Sequence, residues 1–245
     1  GRIRGGQLMK TLEVGGLIKT TLIDFPGEVA TVLFTTGCNF NCPYCHNRPL
    51  ILPAAETLTK GSVMAHLEKR AGLCDGVVIS GGEPTLQPGL EAAVKEIRRL
   101  GYKVKLDTNG TRPEVLKRLL GLGLLDYVAM DVKSSRDRHG IVTGGSAGDR
   151  SAVERSLALI MASSVAHEFR TTVALPLHDY EEVKKIGESL AGAKRWVLQA
   201  YKPAPSVPAD AALQTPPMGT LEAWKSKLEH ELELRGLQIE LRTGY

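Results

Sequence analysis

From about residue 29 onward, short apolar runs alternate with stretches whose apolar residues recur at helical spacing. The runs Val29 to Thr36, Gly76 to Ser80, Tyr102 to Leu106, Asp126 to Met130, Phe169 to Leu175 and Trp196 to Ala200 have the length and β-branched content of buried strands, and Gln238 to Leu241 adds a late extra one. Between them, Leu90, Val94 and Ile97 share one helical face, as do Val115, Leu116 and Leu119, and Tyr180, Val183, Ile186 and Leu190. This βα alternation predicts a mostly parallel sheet with right-handed crossovers. A last helix is expected at Leu221 to Arg235, after a Pro-rich surface loop spanning residues 202–217. With no composition shift or linker in view, residues 9–245 are read as one domain, and residues 1–8, ahead of Met9, as an added or upstream extension.

A parallel sheet either closes toward a barrel or stays open and doubly wound. The Gly-x-Gly-x-x-Gly turn that a dinucleotide-binding sheet needs after its first strand is missing, and Thr36-Gly37-Cys38 stands there instead. Polar residues follow nearly every later strand: Gly81, Gly82 and Glu83, then Asp107, Thr108 and Asn109, then Asp131 and Lys133, then Gln199. Barrels collect their chemistry at these strand ends, so a barrel-type sheet is favoured.

Composition changes this picture little. The 245 residues are 42% hydrophobic and 24% charged, which excludes a disordered chain, and the net charge of +4 is spread without basic blocks, so no nucleic-acid partner is expected. No run approaches the roughly 18 apolar residues of a membrane span, so no membrane partner is expected either, and a cytoplasmic location is. Four cysteines are too few for a disulfide scaffold of this size, and three of them fall within eight residues.

Those three carry the chemistry. Cys38, Cys42 and Cys45 are spaced C-x3-C-x2-C, which lets one short loop wrap three thiolates around a compact inorganic core. Iron-sulfur clusters are usually held by four cysteines, so three leave one iron open to a small molecule. A closed zinc site is the competitor, but it typically draws on a second Cys or His pair, and none is spaced for it. Cys74 as a fourth ligand is opposed by geometry: it precedes the strand Gly76 to Ser80, about 20 Å from the far end at about 3.3 Å per residue. It reads better as a small buried hydrophobe.

These residues resemble the radical S-adenosylmethionine enzymes, whose signature is this loop with an aromatic residue before the last cysteine, here Tyr44. Thr21-Leu-Ile-Asp24-Phe-Pro26-Gly27, Cys45-His46-Asn47, Ile79-Ser-Gly-Gly-Glu83-Pro-Thr85, Asp107-Thr-Asn-Gly110 and Met130-Asp131-Val-Lys133 are similar to the branch that activates glycyl radical enzymes, most of all to the longer form of the activating proteins of anaerobic ribonucleoside-triphosphate reductase. The resemblance covers about Met9 to Tyr201. It implies a partial (β/α)6 TIM-type barrel, one 4Fe-4S cluster on Cys38, Cys42 and Cys45, and S-adenosylmethionine on the fourth iron. It further implies that Tyr44 contacts the adenine, that Gly81, Gly82 and Glu83 receive the methionine amino group, and that Asp131 and Lys133 hold ribose and carboxylate. Asp107 and Thr108, with Asp131, match a monovalent-cation site in related activases. Arg170 and Thr171 are candidates to assist the cofactor carboxylate. No catalytic residue is implied beyond these ligands. The implied partners are a glycyl radical enzyme as protein substrate and a one-electron donor such as flavodoxin or ferredoxin.

Taken singly, each of these positions has a plainer reading: Gly-Gly as a turn, Asp-Thr-Asn-Gly as a capped loop, Asp131, Lys133 or Arg170 as surface charge. Gln199 has no matching role, and Asp24 is either a contact for a protein substrate or an acidic turn residue. His66, His139, His167, His178 and His230 show no ligand spacing and are read as structural or exposed. Other functions compatible with the sequence are activation of another glycyl radical enzyme such as pyruvate formate-lyase, small-molecule radical chemistry, and a non-catalytic iron-sulfur or zinc module.

Overall fold

The computed structural model describes residues 12–51, 57–208, 211–232 and 236–242. Residues 1–8 and the tail of the expected last helix at 233–235 lie outside them. The fold is α/β, with strands β1 (Val14–Thr21), β2 (Ala30–Thr35), β3 (Gly76–Gly81), β4 (Lys103–Thr108), β5 (Tyr127–Asp131), β6 (Ala166–Val173), β7 (Arg195–Ala200) and β8 (Gln238–Arg242). Helices are α1 (Lys60–Arg70), α2 (Leu90–Arg99), α3 (Pro113–Gly121), α4 (His139–Thr143), α5 (Ala147–Ala162), α6 (Tyr180–Ser189) and α7 (Thr220–Glu231). The eight strands are ordered as in the chain, β1 to β8, in a mostly parallel sheet that is not closed. Each of the six strands β2 to β7 is followed by a helix, the count that the alternation of patterns predicts.

Two compact units divide the chain, the first made of the described residues of Gly1–Asn39, Pro49–Thr108 and Arg112–Val128, the second of Phe40–Arg48, Asn109–Thr111 and Ala129–Tyr245. In the first unit β1 runs antiparallel to β2, and β2, β3 and β4 are parallel, with Leu33 opposite Ile79 and Ile79 opposite Leu106. Helix α2 shows why the pattern reads as it does: Leu90, Ala93, Val94 and Ile97, at positions i, i+3, i+4 and i+7, are all buried. Burial of each large aliphatic is worth about 1.5–3 kcal/mol. Acidic Glu91 in the first turn and basic Arg98 and Arg99 in the last complement the helix dipole. In the second unit β6, β7 and β8 are parallel, and Trp196 in β7 is fully buried, its indole N–H donating to Thr171 Oγ1 at 3.0 Å. A capping box opens α5, where Ser146 and Asp149 satisfy each other's backbone N–H groups.

One strand differs from the sequence reading. Strand β1 was not expected, because Gly15-Gly16 and the polar Lys19-Thr20-Thr21 break its apolar run; β1 is an end strand with two register shifts against β2. Helices α1, α4 and α5 fill βα connections for which the sequence showed no distinct apolar face. The Pro-rich stretch is without helix or long strand where described, tied down by a bridge between Leu175 and Gln214. No helix among the described residues is long and apolar enough to cross a membrane.

Candidate active site

The cysteine loop leaves the C-terminal end of β2. Gly37 has φ +81°, a left-handed turn that a side chain would strain. The base of the loop is closed where Gly37 N–H donates to Leu50 O at 2.7 Å and Cys38 N–H to Ile51 O at 3.0 Å. A second turn is closed by Cys45 N–H donating to Cys42 O at 3.1 Å. Cys42 is buried, Cys38 and Cys45 are half-buried, and none of the four cysteines is in a disulfide. Among the described residues no three His, Cys, Asp or Glu side chains are drawn close enough together to hold a metal ion.

In the first unit, β3 ends in Gly81-Gly82-Glu83 against the start of that loop. Gly81 has φ +115°, and a Cβ there would lie 2.3 Å from Thr35 N; a Cβ on Gly82 would lie 2.1 Å from Gly37 O. Gly82 N–H donates to Thr35 O at 2.8 Å and Glu83 N–H to Gly37 O at 2.7 Å. Both glycines are therefore required by the close approach of two backbones. The Glu83 carboxylate is 1% exposed, and its Oε1 accepts from Thr85 N–H at 3.0 Å, from the Thr85 hydroxyl, and from Thr108 Oγ1 at 2.7 Å. Glu83 thus caps the turn Pro84–Leu86 and ties it to the end of β4.

Asp107, at the end of β4, accepts from Ser80 Oγ at 3.0 Å and from Lys105 Nζ at 2.7 Å. Lys105 is 2% exposed, and its ammonium also lies 5.9 Å from the Tyr127 ring centroid. Lys105 is a partner of Asp107 that the sequence reading missed; its signal is a lysine two residues before an aspartate on one strand, which puts both on one face.

The second unit gathers Tyr44, Asp131, Lys133, Arg170 and His178. Asp131, at the end of β5, accepts from Arg170 Nε at 2.8 Å and from Lys133 Nζ at 3.0 Å. Burial alone would raise its pKa, but the two cations more than offset that and hold the carboxyl well below the usual range. For Lys133 burial acts downward and the facing carboxylate upward, and the carboxylate wins, so the ammonium is held protonated. All three side chains stay partly exposed, at 28%, 22% and 14% for Asp131, Lys133 and Arg170. Tyr44 is 5% exposed, its ring edge-on to His178 at 5.7 Å, and its hydroxyl is buried without a hydrogen-bond partner. Burial pushes that phenol's pKa well up.

His178 is fully buried. Its Nε2 lies 2.8 Å from Lys133 O, and a carbonyl only accepts, so Nε2 carries the proton and Nδ1 accepts from Ala174 N–H at 3.2 Å. Burial keeps this ring neutral by lowering its pKa. His178 therefore anchors the backbone of Lys133.

Other positions take the plainer reading. Thr171 donates to Val132 O at 2.8 Å, and Gln199 donates to Thr172 Oγ1 at 2.8 Å. Asn109 Oδ1 accepts from Thr111 N–H at 3.0 Å in an Asx turn, and Gly110, with φ +78°, lies where a Cβ would come within 2.2 Å of Met130 Cε. Asp24 lies in the turn ahead of β2 and accepts from Thr21 Oγ1 at 2.5 Å. Cys74 is 4% exposed, ahead of β3, with Arg70 donating to its sulfur at 3.4 Å. Unforeseen was His46, whose Nε2 lies 2.7 Å from Lys202 O while Ser206 Oγ donates to His46 O at 2.9 Å, fixing the Pro-rich stretch to the cysteine loop.

Comparison with known proteins shows the family of the chain. The Radical SAM superfamily profile matches residues 32–190. A Methanocaldococcus jannaschii protein that carries the provisional name glycyl-radical enzyme activating enzyme is 35% identical over 202 residues, covering 80% of this chain and 82% of that one. The pyruvate formate-lyase-activating enzyme of Streptococcus mutans is 32% identical over 151 residues, 55% of this chain and 57% of that one. Among solved structures, a radical SAM methyltransferase from Sphaerobacter thermophilus superposes with TM-score 0.66 at 17% identity, over 91% of this chain and 69% of that one. Streptococcus suis SuiB bound to S-adenosylmethionine gives 0.62 at 12% identity, over 86% and 48%. With a family match across residues 32–190 and a relative aligned over about four-fifths of both chains, this chain belongs to the radical SAM superfamily of enzymes, and the family implies a 4Fe-4S cluster and S-adenosylmethionine.

Proposed function

We propose that this protein is a glycyl-radical-enzyme activating enzyme and that its protein substrate is anaerobic ribonucleoside-triphosphate reductase. The observation that carries the reading is the three-thiol loop at the end of β2, followed at the ends of β3, β4 and β5 by the branch's motifs in order. The residues present fit the implied groups: three thiols on one loop with no disulfide, and a buried Tyr44 hydroxyl with no protein partner. Cys38, Cys42 and Cys45 would hold the cluster; Tyr44, Gly81, Gly82, Glu83, Asp107, Asp131, Lys133 and Arg170 would line the S-adenosylmethionine site. Together these groups supply reductive cleavage of a sulfonium to methionine and a 5′-deoxyadenosyl radical, which takes a hydrogen atom from a glycine Cα.

The chain's own part is binding and exclusion. Lys133 and Arg170 are cations on partly exposed side chains that both meet Asp131, the kind of group that suits the carboxylate of an amino-acid ligand. Asp131, kept ionised by both, is an acceptor for ribose hydroxyls at any physiological pH. Glu83, whose Oε1 accepts from Thr85 and Thr108, shapes the turn, and its carboxylate together with the Gly81–Gly82 segment would receive the ligand amino group. A glycine loop of a protein substrate fits such chemistry because it carries no side chain. The one-electron donor is of the flavodoxin or ferredoxin kind.

The test is anaerobic: protein reconstituted with iron and sulfide is reduced and mixed with S-adenosylmethionine and candidate glycyl radical enzymes. The reading expects 5′-deoxyadenosine and a glycyl radical doublet by electron paramagnetic resonance on the reductase. Absence of 5′-deoxyadenosine rejects the enzymatic reading; a doublet on a different partner rejects only the substrate.

A further inference from the structure

Two of the three residues between Cys38 and Cys42 are docked onto a segment that no ligand role explains. Phe40 is 3% exposed, with its ring edge-on to His139 at 5.3 Å. Asn41 N–H donates to Thr143 O at 2.8 Å, so the last carbonyl of α4 is satisfied by the cysteine loop rather than by its own helix. The receiving segment is rigidly built. Gly144, in the left-handed region with φ +67°, caps α4 by donating to Gly140 O at 2.9 Å. Thr143 Oγ1 donates to His139 O at 2.6 Å and accepts from Gly145 N–H at 3.0 Å.

Gly145 leaves the space that Phe40 fills. A Cβ there would lie 2.7 Å from Phe40 Cε1 and 2.9 Å from both His139 Nε2 and Thr143 Oγ1. The φ of Gly145 is not positive, so its missing side chain answers to packing and not to backbone conformation. His139, 6% exposed, keeps Nε2 buried without a hydrogen-bond partner, a cost that its contact with Phe40 offsets.

We propose that His139–Gly145 is a brace that fixes the placement of Cys42, with Phe40 and Gly145 as positioning residues of the cysteine loop. As a statement about metal loading this rests on the radical SAM reading; as a statement about the loop it stands alone. Through the Phe40 plug and the Asn41 hydrogen bond, the brace sets the backbone that delivers the second thiol, and it does so before metal arrives. Ordering a loop in advance removes that entropy from the binding step.

Two readouts test it: iodoacetamide alkylation of each cysteine in the metal-free protein, followed by mass spectrometry, and iron per chain after anaerobic reconstitution. In wild type the buried Cys42 is alkylated more slowly than the half-buried Cys38 and Cys45. Gly145→Ala displaces Phe40, and Cys42 alkylation rises about tenfold as the loop opens locally. Its iron content falls to about half or less, because the backbone that delivers the second thiol is no longer held in place. Phe40→Leu, which lacks the clashing ring atom, restores both values when combined with Gly145→Ala. Phe40→Ala alone reproduces the defect with unchanged circular dichroism, which decides the matter even where Gly145→Ala fails to fold. The brace is overturned when both single variants match wild type in Cys42 reactivity and iron, or when the double variant is no better than Gly145→Ala. A wild-type chain that takes up no iron would reject the radical SAM reading, while the alkylation rates would still decide the brace.

Discussion

Gly82→Ala separates two explanations of the Gly81-Gly82 pair: a ligand that needs bare backbone, or a protein that needs two backbones in contact. A Cβ at 82 would stand 2.1 Å from Gly37 O and 2.7 Å from Gly37 C, both backbone atoms, so no side chain can rotate away to make room. Ordinary carbon–oxygen contact needs about 3.3 Å, so the strand end must retreat by roughly 1 Å. That retreat strains the bond of Glu83 N–H to Gly37 O, now 2.7 Å. Overpacking costs about 1–3 kcal/mol, and a weakened backbone hydrogen bond about 0.5–1.5 kcal/mol. The sum, about 2–4 kcal/mol, lowers the unfolding midpoint of a chain this long by about 5–15 °C. The assay is thermal denaturation of metal-free protein, followed by circular dichroism. Gly121→Ala is the control, since a Cβ there meets nothing within 4 Å and alanine is the better residue in a helix. A Gly82→Ala midpoint within about 1 °C of wild type would refute the packing argument and return the glycines to the ligand alone.

Further outcomes follow from the same geometry. Lys105→Met leaves Asp107 facing a buried gap in place of its ammonium, and chemical denaturation is expected to show a loss of about 3 kcal/mol, with Lys105→Met/Asp107→Leu recovering most of it. Tyr44→Phe removes a buried hydroxyl that no protein group satisfies, so metal-free protein gains up to about 1 kcal/mol while calorimetry shows weaker S-adenosylmethionine binding to holoprotein. His178 has its pKa lowered by burial, so the unfolded chain binds its proton first on acidification. Its contribution is present above about pH 6.5 and is lost as pH falls toward the folded value, and His178→Gln flattens that part of the stability–pH curve. Cys42→Ser is expected to lose iron on reconstitution, and Cys74→Ser, behind the start of β3, to keep it.

What the sequence made legible was whatever depends on near neighbours. Strand β3 is an apolar run ending in two glycines, and β2 runs straight into the cysteine loop, so both the strand and its chemistry lie within ten residues of each other. Strand β1 was not legible because its hydrophobic signal is cut by Gly15-Gly16 and its sheet contacts are all on one side. Contacts between distant residues were equally hidden. Arg170 reads as a strand-surface cation until Asp131, 39 positions earlier, is found 2.8 Å away. The bond that Thr108, 25 positions on, donates to Glu83 could not be read from the motif around Glu83. Lys105 looks anomalous among apolar neighbours, and such a lysine on a buried strand is itself a signal of a charge partner two residues away.

The central claim is that three thiolates leave one iron of the cluster to an outside ligand. Adding one equivalent of S-adenosylmethionine to the reduced, reconstituted protein tests it directly through the low-temperature electron paramagnetic resonance spectrum. Coordination at that iron predicts a changed spectrum that saturates at one nucleotide per cluster. A spectrum indifferent to the nucleotide, or a preparation holding zinc in place of iron, would contradict it.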